Sequence, residues 1–187
     1  DAVQLVHQRG QFMSEAAPTG SGKMVAVLNT DAAVIEECCK QASDLGIVSP
    51  ANYNTPQQIV IGGEVAAVEK AEELLKAAGT KRMIPLNVSG PFHTALLAPA
   101  SKRLNEVLAT ITFKEMTVPV ISNTTATVME QSAIVSLLTK QVMSPVRFSD
   151  SIVTLKELGV SNFVEIGPGK TLTGFIKKID RGLATSR

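Results

Sequence analysis

Between Gly22 and Val88 the sequence alternates short apolar runs with two helical stretches, in the order β-α-β-β-α-β. No other feature constrains the fold as much. The run "KMVAVLN" predicts a strand, and Asp31 stands where an N-cap belongs, ahead of a helix through about Ser43 that "DLG" closes. A short strand around Ala51 to Asn54, a Thr55-Pro56 turn and a second strand in "QIVIGG" follow. "EVAAVEKAEELLKAAG" has helical periodicity and a terminating glycine, Gly79, at the C′ position. "KRMIPLNV" predicts the last strand. A chain in this order covers one sheet face with two helices, because each helix must bury its apolar stripe.

Residues 20–88 are therefore expected to form a small subdomain of ferredoxin-like type, inserted into a larger unit made of residues 1–19 and 89–187. Residues 1–17 read as a helix with Val3, Val6, Gly10 and Met13 on one face, stopped by the breaker cluster Pro18-Thr19-Gly20-Ser21-Gly22. Beyond residue 88, Thr94 to about Thr110 reads as a helix with Pro99 early in it. "VPVISN" follows as a strand, then Gln131 to about Gln141 and Ser149 to Leu158 as helices, the latter closed by Gly159. "SNFVEIGPG" reads as a strand running into a glycine turn, and Thr171 to about Ile179 as a last helix. Alternation of this kind places the larger unit in the α/β class, as a doubly wound parallel sheet. The strands are few for such a sheet, so its core is expected to need partners from outside the chain. The sequence also opens at Asp1 without a methionine and already in helical rhythm, as a piece of something longer would.

Composition removes several function classes. With 44% hydrophobic and 19% charged residues the chain is globular rather than disordered. A net charge of +1, no tryptophan and one tyrosine give neither the basic footprint nor the stacking platform that nucleic acid needs. Cys38 and Cys39 are adjacent in a helical stretch, point in different directions and lack metal-ligand spacing, so they read as two small semi-buried thiols in a reducing compartment. No signal peptide or membrane-spanning apolar run is evident, which makes the cytoplasm the expected location. Two stretches imitate a phosphate-binding loop and fail. "APTGSGKM" has Ala17 at the first glycine position and Met24 for the hydroxyl residue, and "VEIGPGKT" has Val164 at the first glycine position.

Two side chains remain as candidates for chemistry. His93, in "VSGPFHTALLAPAS", is placed by a stiff Gly90-Pro91 connection at a helix start. An imidazole there can relay a proton for a serine or cysteine if its other nitrogen is held by an acceptor. Spacing alone favours a structural histidine. Arg9, in "HQRGQFM", lies on a helix face otherwise apolar, with Gly10 beside it for close approach, and its planar fork suits a carboxylate. Without context it reads as a surface arginine or half of an internal salt bridge. His7 is expected to face solvent.

The stretches "LVHQRGQFMSEA", "NYNTPQQIVIGGE", "VSGPFHTALLAPAS", "QVMSPVRFSDSI" and "FVEIGPGKTLTGFIKK", in this order, closely resemble the bacterial malonyl-CoA:acyl carrier protein transacylase family over essentially the whole chain. The resemblance implies a hydrolase-like core and a malonyl group passed from coenzyme A to a serine, then to the phosphopantetheine thiol of acyl carrier protein. It implies His93 as general base and acid, Arg9 as the clamp on the malonyl carboxylate, and Gln141 as the residue whose backbone carbonyl orients the histidine. Phe92 resembles the aromatic residue of the malonyl-selecting versions. Ser144 departs from the asparagine frequent in the family. The family's nucleophile sits in a Gly-His-Ser-x-Gly elbow, and no Gly-x-Ser-x-Gly occurs here.

The resemblance therefore implies that the serine belongs to a missing N-terminal segment or a separate chain, and that this chain alone is inactive. Coenzyme A enters as a thioester substrate, with no further cofactor and no metal. Lys170, Lys177 and Lys178 are candidates for meeting an acidic carrier protein. The alternative reading is a non-catalytic interaction module or an inactive fragment.

Overall fold

A computed structural model describes residues 2–18, 20–88 and 90–187. The opening residue Asp1 and the two expected junctions, at Thr19 and Ser89, lie outside the described residues. The chain has an α/β fold. Helix α1 spans Ala2–Ala16, followed by β1 (Lys23–Leu28), α2 (Ala32–Ala42), β2 (Val48–Thr55), β3 (Gln58–Gly63), α3 (Val65–Ala77) and β4 (Arg82–Pro85). Then come α4 (Ala98–Leu108), α5 (Ile134–Gln141), α6 (Phe148–Glu157), β5 (Asn162–Val164), α7 (Thr171–Ile179) and β6 (Ala184–Ser186).

Strands β1 to β4 form one sheet in the order β2-β3-β1-β4, every pair antiparallel. Local chemistry explains its helices. The Asp31 carboxylate accepts from the Ala33 N–H at 2.9 Å and caps α2, while Gly79 takes a positive φ of 95° just beyond α3. Both helices pack on one sheet face, where Ile35, Cys39, Val68 and Leu75 meet Val25, Val27 and Ile61. The opposite residues of the strands, Met24, Ala26 and Val60, form a second cluster with Ala51 and Phe92. Burial of both faces is why "KMVAVL" and "QIVIGG" read as unbroken apolar runs rather than alternating ones.

Outside this sheet, α1 lies along α4 through Leu5, Phe12, Met13 and Ala16 against Leu97, Ala100, Leu104 and Leu108. Arg103 stacks its guanidinium 4.1 Å from the centre of the Phe12 ring and pairs with Glu15. A fourth cluster joins α6, α7 and β5 through Ile152, Ile176 and Phe163.

Several sequence expectations need correction. Val3 and Val6 are 83% and 66% exposed, so the packed face of α1 is the one carrying Leu5, Phe12 and Met13. Both sides of that helix offer apolar residues, and only the position of α4 chooses between them. Gly10 serves no close approach, since a Cβ there would meet nothing within 4 Å beyond its own helix. "VPVISN" forms no strand; within it a single isolated bridge joins Ile121 to Val128, and Val118 is exposed. A strand needs a partner as much as a propensity. Of the partial doubly wound parallel sheet expected after residue 88, the described residues form one short piece. The parallel pairing there is the three-residue ladder β5–β6, whose second strand the sequence reading missed. Cys38 and Cys39 are both free and fully rather than partly buried. Burial, with smaller effects from Cys38 and Glu36, pushes the Cys39 thiol up to about 12.

Candidate active site

His93 is reached through a tightly held connection. The Thr94 hydroxyl donates to the Pro91 carbonyl at 2.7 Å, and the Phe92 N–H donates to the Gly90 carbonyl at 3.0 Å. Pro91 and Thr94 are fully buried on either side of it. Between these anchors His93 is held at φ 61°, in the left-handed region that a residue with a Cβ avoids. Such backbone costs about 1–3 kcal/mol and persists where the surroundings over-determine it.

The half-buried imidazole places Nδ1 3.1 Å from the Gln141 carbonyl oxygen. Gln141 ends α5, where the last carbonyls of a helix have no partner within it, so one of them is free to accept from a histidine 48 residues away. With Nδ1–H donating, the lone pair lies on Nε2. Burial pulls the His93 pKa below its ordinary value, the Gln141 carbonyl opposes that shift, and the Arg9 charge adds to it. Burial and the Arg9 charge both favour the neutral ring.

Arg9 lies half-buried on α1. Its Nε is buried without a hydrogen-bond partner, and it enters no ion pair among the described residues. Burial lowers its pKa, yet a guanidinium stays charged. A half-buried cation with a buried, orphaned donor suits an anion. Phe92 packs between the second face of the sheet and the α1–α4 cluster. His7 is exposed. Arg9, His93 and Gln141 line none of five grooves on the described surface, one of them of about 690 Å³ between α1 and α4.

Sequence reasoning missed Asn123. Its side-chain oxygen accepts from the Gln141 side-chain amide at 2.7 Å, and its main-chain carbonyl accepts from the Arg147 N–H at 2.8 Å. As the last residue of the supposed strand "VPVISN" it carried no local signal. The loop between Gln141 and Arg147 is also tied to β2, where Val146 exchanges backbone bonds of 2.8 Å with Ala51 and Tyr53.

The two rejected phosphate loops are occupied by the protein's own carboxylates. Lys23 pairs with Glu72 at 2.6 Å and with Glu69 at 3.7 Å. Glu165 accepts from the N–H groups of Leu172 and Thr173 at the start of α7. Among the described residues no cluster of three or more His, Cys, Asp or Glu has metal-site geometry, and no helix is long and apolar enough to cross a membrane. Lys170, Lys177 and Lys178 are exposed.

A strained histidine hydrogen-bonded to a helix-end carbonyl, beside an unpartnered arginine, suits proton transfer to a substrate bearing a carboxylate. Residues 1–182 match the acyl transferase domain family, and the chain belongs to it. Within that family it is similar to malonyl CoA-acyl carrier protein transacylases. It is 49% identical to that of Bacillus subtilis (strain 168), over 99% of this chain and 59% of the relative, and 44% identical to that of Escherichia coli (strain K12), over 100% and 60%. Among solved structures, MCAT from Streptococcus pneumoniae matches with a TM-score of 0.98 at 60% identity, over 100% of this chain and 62% of that one. A malonyl-transacylase in complex with its type II PKS acyl-carrier protein matches with a TM-score of 0.95 at 41% identity, over 100% and 61%. The chain thus spans about three fifths of the length of the curated relatives it matches.

Proposed function

We propose that this chain carries the base and the carboxylate clamp of a malonyl transferase that moves malonyl from coenzyme A to acyl carrier protein through a malonyl-serine intermediate. The observation that carries the reading is the 3.1 Å contact between His93 Nδ1 and the Gln141 carbonyl, because it leaves Nε2 free to take a proton. The serine hydroxyl gives its proton to Nε2 and attacks the thioester carbonyl, and the coenzyme A thiolate leaves, taking the proton back. The carrier-protein thiol then gives its proton to Nε2 and attacks the malonyl ester. Serine leaves as its hydroxyl, protonated from the imidazolium. In both halves the Gln141 carbonyl stabilises the transient positive ring.

Arg9 binds the malonyl carboxylate with its unpartnered Nε and distinguishes malonyl from plain acyl groups, which leave the guanidinium unpaired. Phe92 restricts branching beside the thioester. The thioester is already activated, so the reading calls on no cofactor beyond the coenzyme A it arrives on, and no metal. The free thiols Cys38 and Cys39 accord with a reducing cytoplasm.

On this reading residues 20–88 are a ferredoxin-like insertion, supported by the strand order β2-β3-β1-β4 with both helices on one face. The remainder is part of a hydrolase-like core in which β5–β6 belongs to a larger parallel sheet. Since the sequence holds no Gly-x-Ser-x-Gly elbow, the attacking serine comes from a segment outside these 187 residues. Lys170, Lys177 and Lys178 are the surface we assign to the acidic carrier.

The test joins the chain to the leading segment of its Bacillus subtilis relative and follows malonyl-carrier protein by intact mass. The joined protein is expected to transfer malonyl, His93→Ala to abolish transfer, and Arg9→Ala to raise KM for malonyl-CoA. Transfer by the joined His93→Ala protein at the unsubstituted rate, or by the chain alone at an enzymatic rate, overturns the proposal. One observation favours the alternative of a non-catalytic module: Arg9, His93 and Gln141 share none of the described grooves. A folded joined protein without transfer activity would establish it.

A further inference from the structure

The carbonyl that holds His93 stands at the end of a helix of only 8 residues, and the last turn of so short a helix frays unless something ties it down. Asn123 ties it at both ends of the loop that follows. Its side chain accepts from the Gln141 amide at 2.7 Å, and its backbone carbonyl accepts from the Arg147 N–H at 2.8 Å. Asn123 is itself fixed by a tight turn. The Ala126 N–H donates to the Ser122 carbonyl at 2.7 Å, Ala126 sits at φ 59°, and the Thr154 hydroxyl of α6 donates to the Ala126 carbonyl at 2.6 Å.

We propose that Asn123 is a positioning residue for His93: by clamping the 141–147 loop it keeps the Gln141 carbonyl on Nδ1–H and so keeps the lone pair on Nε2, where the transferred proton must land. The inference rests on the reading of His93 as the base. It adds a residue that acts on the imidazole through the 141–147 loop.

The tautomer of His93 tests it directly, because the chain has two histidines and the exposed His7 reports an unconstrained ring in the same sample. Imidazole ¹⁵N shifts of the chain labelled at histidine are expected to show His93 chiefly as the Nδ1–H form. Asn123→Ala is expected to move it toward the Nε2–H form shown by His7. Asn123→Asp, which keeps an acceptor oxygen in place, is expected to restore Nδ1–H. In the joined protein Asn123→Ala should lower kcat about tenfold with KM for malonyl-CoA unchanged, since acid–base efficiency alone is lost.

An Asn123→Ala protein whose His93 signals match the unsubstituted chain overturns the inference. If Asn123→Ala does not fold, Gln141→Met breaks the same bond from its other end and is read in the same way. An unsubstituted chain with His93 already in the Nε2–H form overturns instead the reading of His93 as a base held by Gln141. The two failures are therefore distinct.

Discussion

Gly22 is the point where the four-stranded sheet meets the turn that presents His93, and Gly22→Ala tests how rigidly the two are joined. A Cβ on Gly22 would lie 2.5 Å from Pro91 Cγ and 2.6 Å from the Gly63 carbonyl oxygen, where ordinary contact begins at 3.4 Å. The shortfall against Pro91 is about 0.9 Å. Gly63 cannot retreat, because β3 is paired on both sides, with Lys23 and with Val48. Pro91 must move, and it is buried two residues before His93. Passed on in full along the 3.1 Å contact, that displacement takes Nδ1 at most to about 4 Å from the Gln141 carbonyl, beyond a hydrogen bond.

A misplacement of about 1 Å costs on the order of 100-fold in rate, and overpacking costs about 1–3 kcal/mol of stability. Both are measurable, by malonyl transfer in the joined protein and by urea melts. Gly10→Ala is the control. Nothing lies within 4 Å of that position, so alanine should stabilise α1 by about 0.5–1 kcal/mol and leave transfer intact. If Gly22→Ala transfers malonyl at the unsubstituted rate, the sheet does not set the position of the base and the reasoning fails.

Three further outcomes are expected. His93 has a folded-state pKa below the ordinary 6.5, so the unfolded chain binds the extra proton. Its contribution to stability is present above about pH 6.5 and is lost as pH falls through the folded value. Urea melts should show that slope in the unsubstituted chain and a shallower one in His93→Gln, while Arg9→Gln, by removing a nearby positive charge, should raise the His93 titration in an NMR experiment. Leu75 is fully buried where α3 meets the sheet, so Leu75→Ala should cost about 2–5 kcal/mol in the same melts, and a loss under 1 kcal/mol would show that this core repacks freely.

Local chemistry made the α2–α3 region legible from the sequence: the Asp31 cap, the Gly79 terminator and two apolar runs each write their element within a few residues. His93 was legible as a candidate for the same reason, since a Gly-Pro turn and a scarce residue type stand next to each other. Elsewhere the chain needed its tertiary structure. Helix α1 offers apolar residues on two sides, and the position of α4 made Met13 the buried one, with Leu5 and Phe12 half-buried beside it and Val3 and Val6 exposed. "VPVISN" has strand propensity but folds back through a tight turn, so its backbone bonds go to Thr127 and Met129 just beyond it and no regular strand forms. The site was decided at longer range still. The acceptor for His93 lies 48 residues away, and the clamp on that acceptor 18 residues from it. Propensity and periodicity report what a residue does with its near neighbours, whereas a hydrogen bond across such separations exists only once packing has brought the groups within 3 Å or so, and no local pattern encodes it.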